Sequence, residues 1–584
     1  MASGKFPVIE HEADVCVVGG GMAGLCAALA AARHGARTVL MHDRPVLGGN
    51  ASSEMRVHVC GADRHNQIKY MRETGILEEI RLDNLAVNPN RNFSVWDTVL
   101  YEKARFQPGL ELLLNCSCLD ASMDGNFIAD VSGWQLTTQS CHKVRAKIYA
   151  DCSGDGVLAP LSGALFRMGR EGRSEYGESI APETADERTM GMTCLFSARE
   201  YDEPQPFEPP AWAYRFEKEE ELPYGANRHG WWRLGYWWIE LGGEQNAILD
   251  AESIRDELLR ITYGVWDHIK NRGDHGADNW ALDWIQFLPA KRESRRYTGA
   301  HVLNQNDVES EGRFEDTAAY GGWSMDDHHP AGFWAAKIGA PATIFHKAPS
   351  PYGIPYRSLY SRNVKNLMFA GRCASATHAA MSSTRVMGTG CSMGQAVGTA
   401  AAMAIKRGET PEAVSRRIGE LQQALLRDDA YILWTPQQFS EAVRTAKLSA
   451  SEGNPEPVRD GVNRPVGSDM HSWECSPGSW IAYEFVRRTP VREVSLILDS
   501  AMEKNISMSW HQKDDQLAAV PGTMPRAFHV DVLSGGRWET SARVVDNHQR
   551  LVRLAVNREA DGIRFTPDAL HGDGPSRVYA FYAD

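Results

Sequence analysis

The sequence predicts an α/β fold with an inserted mixed α+β domain and, at its C-terminal end, an all-β sandwich-like module. Three observations carry this. A short apolar strand leads into a glycine-rich turn, an alanine-rich helix and a second strand between Asp14 and Met41, the signature of a βαβ unit. The same strand–glycine–helix texture fades beyond residue 165 and returns at 366–406. After a polar stretch at 448–470, short alternating segments (SWIAYEF, VREVSLIL, AFHVDVL, RLVRLAV, GIRF, RVYAFY) recur to the end of the chain.

The first element, Asp14–Val18, is followed by the helix Ala23–Arg33, which Gly35 ends, and by the strand Thr38–Met41. MRETGILEEIRL, from Met71, is helix-periodic, and strand signals return over 109–155 with a hairpin at Asp124-Gly125-Asn126. Residues 166–360 are rich in proline, acid and aromatic rings, and ten of the 17 tryptophans lie between Trp212 and Trp334. The expected organisation is a discontinuous nucleotide-binding domain (1–165 and 361–410), a substrate or cap domain (166–360), a helical connection (411–450) and a β-rich domain (451–584).

With 584 residues, 43% hydrophobic and 23% charged, the chain has material for a large core. A net charge of −13 without a concentrated basic stripe argues against nucleic acid and anionic membrane as partners. Eleven cysteines scattered without CxxC read as reduced thiols, and the expected location is cytoplasmic. Residues 15–32 mimic a signal peptide, but the preceding stretch is acidic and four glycines interrupt the apolar run.

Those glycines have their own chemistry. Gly19-Gly20-Gly21-Met22-Ala23-Gly24 is GxGxxG between a strand and a helix. Gly19 permits the tight turn, Gly21 lets the backbone approach a pyrophosphate, and Gly24 lets helix and strand pack closely. The first-turn amides around Met22 and Ala23 then face the anion. The second strand should end in an acid that binds ribose. Here His42 occupies that place, with Asp43 and Arg44 after it, so the ribose contact is either Asp43, by a one-residue shift, or His42.

Three further segments choose between dinucleotides: RPVLGGNASSEMRVHVCGA (44–62), IYADCSGDGVLAPLSGA (148–164) and NLMFAGRCASATHAAMSSTRVMGTGCSMGQAVGTAA (366–401). Together they resemble the bacterial FAD-dependent oxidoreductase family of the glutathione-reductase-like flavoprotein group. RESRRYTGAHVL (292–303) and YGIPYRSL (352–359) share the likeness, and the C-terminal 120 or so residues do not. The resemblance implies a Rossmann-like FAD-binding domain. Gly48-Gly49-Asn50 would lie against the ring system, Asp155 would bind a hydroxyl, and Gly371-Arg372 would balance phosphate charge. The helix opened by Gly390–Gln395, with Gly394 and Gln395, would present its N–H groups to the flavin. Some relatives carry a flavin-linking histidine where Asn50 stands, so the implied FAD is noncovalent. No second GxGxxG suggests a separate nicotinamide domain.

His378 is the first candidate for a base that takes a hydroxyl proton, and His58, sharing a face with Arg56 and Cys60 if extended, is the second. Arg357 and Arg385 are candidates for substrate or flavin contacts, and Arg295 or Arg296 for the substrate cavity. No metal site is expected. The neighbours His328 and His329 cannot comfortably share one ion, and Cys60 is either a reactive thiol or, as most such cysteines are, an inert buried one. Trp231-Trp232 and Trp237-Trp238 offer faces on which sugar rings stack. The expected activity is removal of hydride from a secondary hydroxyl of a carbohydrate or polyol-like small molecule or oligosaccharide, with an unidentified electron acceptor. Redox-neutral glycoside cleavage, C=C reduction or desaturation with Arg357 or Arg385 as proton donor, and plain glycan binding are the alternatives. The oligomeric state stays open, a homo-oligomer included.

Overall fold

The computed structural model describes residues 6–223, 237–273, 275–509 and 515–584. Its N-terminal part runs β1 (Val8–Glu12), β2 (Val15–Val18), α1 (Met22–Arg33), β3 (Thr38–Met41), α2 (Ile76–Val87), α3 (Phe93–Arg105), β4 (Leu110–Leu113), β5 (Cys116–Asp124), β6 (Phe127–Gln135), β7 (Ser140–Arg145) and β8 (Ile148–Asp151). A five-stranded parallel sheet is ordered Leu367–Phe369, β8, β2, β3, β4. Every residue of β8, β2 and β3, and of the edge strand Leu367–Phe369, is buried. Burial on both faces explains why these strands read as continuous apolar runs. The chain leaves this sheet after β8 and completes it only with Leu367–Phe369, whose residues pair with Tyr149, Ala150 and Asp151.

The alanine-rich α1 packs against the helix Met387–Arg407. A Cβ on Gly394 would lie 2.1 Å from the Ala23 carbonyl oxygen, and one on Gly398 would lie 2.0 Å from that of Ala27. Small residues one turn apart thus let the two backbones nearly touch. The helix expected from Met71 begins only at Ile76, because Gly75 is left-handed (φ 72°) and Arg72 is drawn aside into a buried ion pair. A second sheet, ordered β1-β7-β6-β5, covers part of the first, and its β5–β6 hairpin turns at Gly125 (φ 60°).

Between β8 and Leu367 the structure is mixed, with small sheets around the long helix Ala251–Asn271 and a separate apolar core that includes Trp238, Trp266 and Trp280. The C-terminal strands form one antiparallel sheet that already begins at Lys447–Ala450. Segments that read as separate short strands are fused: Ile481–Leu498 is one 18-residue strand and Leu551–Leu570 one of 20 residues. Register shifts at Glu484/Thr489 and Val491/Glu493 bend the first, as bulges do. This sheet is tied to the rest by buried charges. Arg72 pairs with Glu78 and donates to the carbonyls of Ser500, Ala501 and Lys504, while Arg550 pairs with Asp429 at 2.8 Å. Among the described residues no helix is long and apolar enough to cross a membrane.

Candidate active site

The glycines of the first turn divide by what surrounds them. A Cβ on Gly19 (φ 102°) would sit 2.4 Å from the Ser153 backbone, and one on Gly24 would sit 1.8 Å from the Gly19 carbonyl oxygen, so both are demanded by packing. A Cβ on Gly21 would meet nothing within 4 Å. Gly21 is the N-cap of α1 and no side chain caps the helix there, so the amides of the first turn are open to an anion. The Gly48 amide donates to the Gly20 carbonyl at 2.9 Å, and Gly49 (φ 57°) lies against Gly21, which joins the second glycine loop to the first.

His42 is not available to a ribose. Its Nδ1 accepts the Gly20 amide hydrogen at 2.9 Å and its Nε2 lies 3.0 Å from the Val46 carbonyl. Accepting at Nδ1 places the ring hydrogen on Nε2, which donates to Val46. Burial holds the ring below the usual histidine range, hence neutral. The ring therefore holds the glycine turn, and the expectation of a His42–ribose contact is corrected. Asp43, whose side chain is 53% exposed, is the carboxylate with room for a ribose, and Arg44 lies beside it at 3.5 Å.

Asn50, Asp155 and Arg372 come together from three segments. Asn50 donates to the Lys291 carbonyl, the Lys291 ammonium meets Asp155 at 2.6 Å, and Arg372 meets Asp155 at 3.0 Å. Burial alone would raise the Asp155 carboxyl, but Arg372 and Lys291 outweigh it and bring it down to about 2. Lys291 was missed at the sequence level, because 136 residues separate it from Asp155. So was Asp151, which accepts hydrogen bonds from Tyr297, Ser153 and the Leu158 amide and so braces the end of β8.

Gly371 (φ 82°) faces Ala23, and Gly390 faces Gly371 at ordinary contact distance. Gly394 and Gln395 lie deeper than expected. Gly394 is the helix crossing described above, and the Gln395 side-chain carbonyl accepts the Ile76 amide, capping α2. Gly394 thus serves the helix crossing, and the Gln395 carbonyl oxygen serves the start of α2.

His378 opens the helix His378–Thr384 and is buried. Its Nδ1 meets Glu293 at 2.8 Å and its Nε2 meets Asp327 at 3.1 Å. Burial opposes a charged ring, but the two carboxylates prevail and raise it to about 10. At neutral pH it is an imidazolium with both nitrogens donating, which corrects its expected role as a free base. Asp327 keeps 21% of its side chain exposed and is held below the usual carboxylate range, where His378 outweighs the effect of burial. Beside it, Asp326 accepts from Arg385 at 3.2 Å, and Glu240 joins His328 and Arg292 at 2.7 and 3.3 Å. The Nε of Arg385 and the Nε1 of Trp323 are buried without a protein partner, which suits a polar ligand.

Other candidates fall elsewhere. Arg357 is clamped to Asp316 through backbone and side chain, away from the Glu293–His378–Asp327 contacts. Arg296 is fully buried on Glu171, Glu293 and two carbonyls, whereas Arg295 reaches the Asp155 carbonyl. His58 lies against Trp237 and His65 rather than beside His378's carboxylates. Trp231-Trp232 lies outside the described residues.

The sequence profile of the FAD dependent oxidoreductase family matches residues 14–425, well over half of the chain. This chain belongs to that family. FAD is accordingly its cofactor and it is an enzyme. Solved structures similar to the oxidoreductase include a geranylgeranyl bacteriochlorophyll reductase-like protein from Thermoplasma acidophilum (12% identity, 72% of this chain and 86% of that one, TM-score 0.32). Another is p-nitrophenol 4-monooxygenase from Pseudomonas putida (14% identity, 72% and 85%, TM-score 0.30). A family 32 carbohydrate-binding module from Streptococcus pneumoniae EndoD is similar over 25% of this chain and 99% of that one, at 13% identity and a TM-score of 0.20. No curated protein matches the oxidoreductase. The open space at Gly21 and the uncapped start of α1 fit the cofactor's pyrophosphate.

Proposed function

We propose that this FAD dependent oxidoreductase removes hydride from a secondary hydroxyl of a carbohydrate or polyol-like small molecule or oligosaccharide. Its FAD is held noncovalently in a Rossmann-like domain of the glutathione-reductase-like group. The first-turn amides of α1 would hold the pyrophosphate, Asp43 the ribose, and the loop Gly48–Asn50 the ring system. The chemistry supplied by bound FAD is acceptance of a hydride.

The reading is carried by the Glu293–His378–Asp327 row. Two carboxylates and one imidazolium sum to one negative charge, and Asp327 is its exposed end. A substrate hydroxyl donates to Asp327, while His378 fixes the carboxylate's orientation. As hydride departs, the hydroxyl becomes far more acidic, since the product would otherwise be a protonated carbonyl. A carboxylate of lowered basicity is then a sufficient proton acceptor. Arg385 Nε and Trp323 Nε1 supply donors for neighbouring oxygens of a polyhydroxylated substrate. For carbon–carbon double-bond reduction Arg357 is engaged by Asp316, which leaves Arg385 as the proton donor of that alternative.

Anaerobic mixing of the purified enzyme with mono- and oligosaccharides tests this, read by loss of flavin absorbance. Bleaching by at least one sugar is expected. If no sugar bleaches the flavin while an enoate rapidly reoxidises chemically reduced enzyme, the reading fails. Steady turnover without any acceptor identifies redox-neutral cleavage instead.

A further inference from the structure

His58 and Cys60 lie two residues apart, and the chain then doubles back through Arg64, His65 and Asn66. All three of these residues are left-handed (φ 49°, 54° and 67°). Arginine and histidine pay on the order of 1 kcal/mol each for that conformation, and its effect is to return the His65 ring over Cys60. His58 Nε2 and His65 Nε2 are 3.4 Å apart, Cys60 Sγ and His65 Nε2 are 3.7 Å apart, and all three donor atoms fall within 4.8 Å of one another.

Those separations have a specific meaning. An imidazole–imidazole hydrogen bond is about 2.9–3.0 Å long, so 3.4 Å is too open for one. A tetrahedral ion with metal–nitrogen bonds of about 2.0–2.1 Å and a metal–sulfur bond of about 2.3 Å has ligand–ligand edges of about 3.4 Å (N–N) and about 3.6 Å (N–S). The His58–His65 and Cys60–His65 separations match these two edges. Trp237 stands edge-on to His58 and Trp323 edge-on to His65, at 5.4 and 5.2 Å between ring centres, walling two sides. His58 is buried, while Cys60 and His65 are partly exposed. A second convergence, Glu219 with His268 and His275, is less suited, because His275 Nε2 lies 2.9 Å from the Arg272 carbonyl.

We propose that His58, Cys60 and His65 bind one zinc-class divalent ion, leaving a fourth position open to water or another oxygen ligand. Two imidazoles and one thiolate are a borderline-soft donor set suited to zinc, and three protein ligands are the count of sites that keep an open position. The Cys60 carbonyl accepts the Gly388 amide at 2.7 Å, so the ion would sit one hydrogen bond from the first turn of the helix Met387–Arg407. The site stands independently of the substrate proposed above.

Elemental analysis of the purified flavin-loaded enzyme, incubated with Zn2+ and desalted, should give one zinc per chain. X-ray absorption at the zinc edge should report one sulfur and two imidazoles. Exchange into Co2+ should give four-coordinate ligand-field bands to the red of the flavin absorption. Cys60→Ser and His65→Ala should each lower retained metal at least tenfold with the FAD-to-protein ratio unchanged. Zinc failing to remain on the wild-type enzyme, a first shell without sulfur, or metal retained by the Cys60→Ser/His65→Ala double variant overturns the proposal. The spectroscopy on wild-type enzyme decides the matter if a variant does not fold.

Discussion

His42 Nδ1 accepts the amide hydrogen of Gly20 at 2.9 Å, so a histidine at the end of β3 holds the glycine turn in shape. Removing the ring with His42→Ala leaves the Gly20 amide and the Val46 carbonyl without their partner. The expected loss is about 1–3 kcal/mol of stability, and FAD should bind more weakly because the turn that presents the first-turn amides is loosened. Urea unfolding of the apoprotein and fluorescence titration with FAD check the two effects separately.

Gly21 and Gly394 should behave oppositely. Gly21→Ala adds a methyl group into open space at an ordinary φ of −64°. Apoprotein stability should change by less than about 0.5 kcal/mol, while FAD affinity falls. Gly394→Ala drives a methyl into the Ala23 carbonyl and should destabilise by about 1–3 kcal/mol or more, with flavin lost only as the fold is lost. Thermal melts with and without FAD distinguish these outcomes.

Asp155 offers a test by acid. Its carboxyl is lowered to about 2 in the folded protein. The sign follows: its contribution to stability is complete above the ordinary carboxylate range and disappears as pH falls through about 2. Asp155→Asn leaves Arg372 and Lys291 uncompensated and should cost about 1–3 kcal/mol at neutral pH. The gap from wild type should close on acidification, as measured by denaturant midpoints between pH 7 and 2.5.

The Glu293–His378–Asp327 row makes a prediction of opposite sign. His378 is raised to about 10, so its contribution is complete below the ordinary histidine range and is lost as pH rises toward 10. The stability difference between wild type and His378→Gln should therefore be largest near neutral pH or below and shrink on the alkaline side. Asp327→Asn should retain FAD and slow flavin reduction by about 10²–10⁴-fold. Stopped-flow reduction by whichever sugar bleaches the wild type measures this.

The cradle was legible because its parts are local. Gly19 to Gly24 lie between a strand and a helix, and residue spacing alone gives their geometry. The packing of Gly394 and Gln395 is not legible in sequence, because a helix-opening glycine motif looks the same whether it faces a ligand or another helix. His378 was found but its charge state was not. That depends on Glu293 and Asp327, which are 85 and 51 residues away. The ion pair of Arg357 is hidden for the same reason, its partner Asp316 lying 41 residues back. The convergence of His58, Cys60 and His65 depends on three consecutive left-handed residues, a conformation that side-chain type does not announce.

Arg72 sits in the catalytic half of the chain, yet its guanidinium is completed by carbonyls contributed by Ser500, Ala501 and Lys504. Deleting the terminal sheet would strip those three carbonyls from Arg72 and lay open its buried pair with Glu78, so the last quarter of the polypeptide is built into the fold rather than appended to it like a tag.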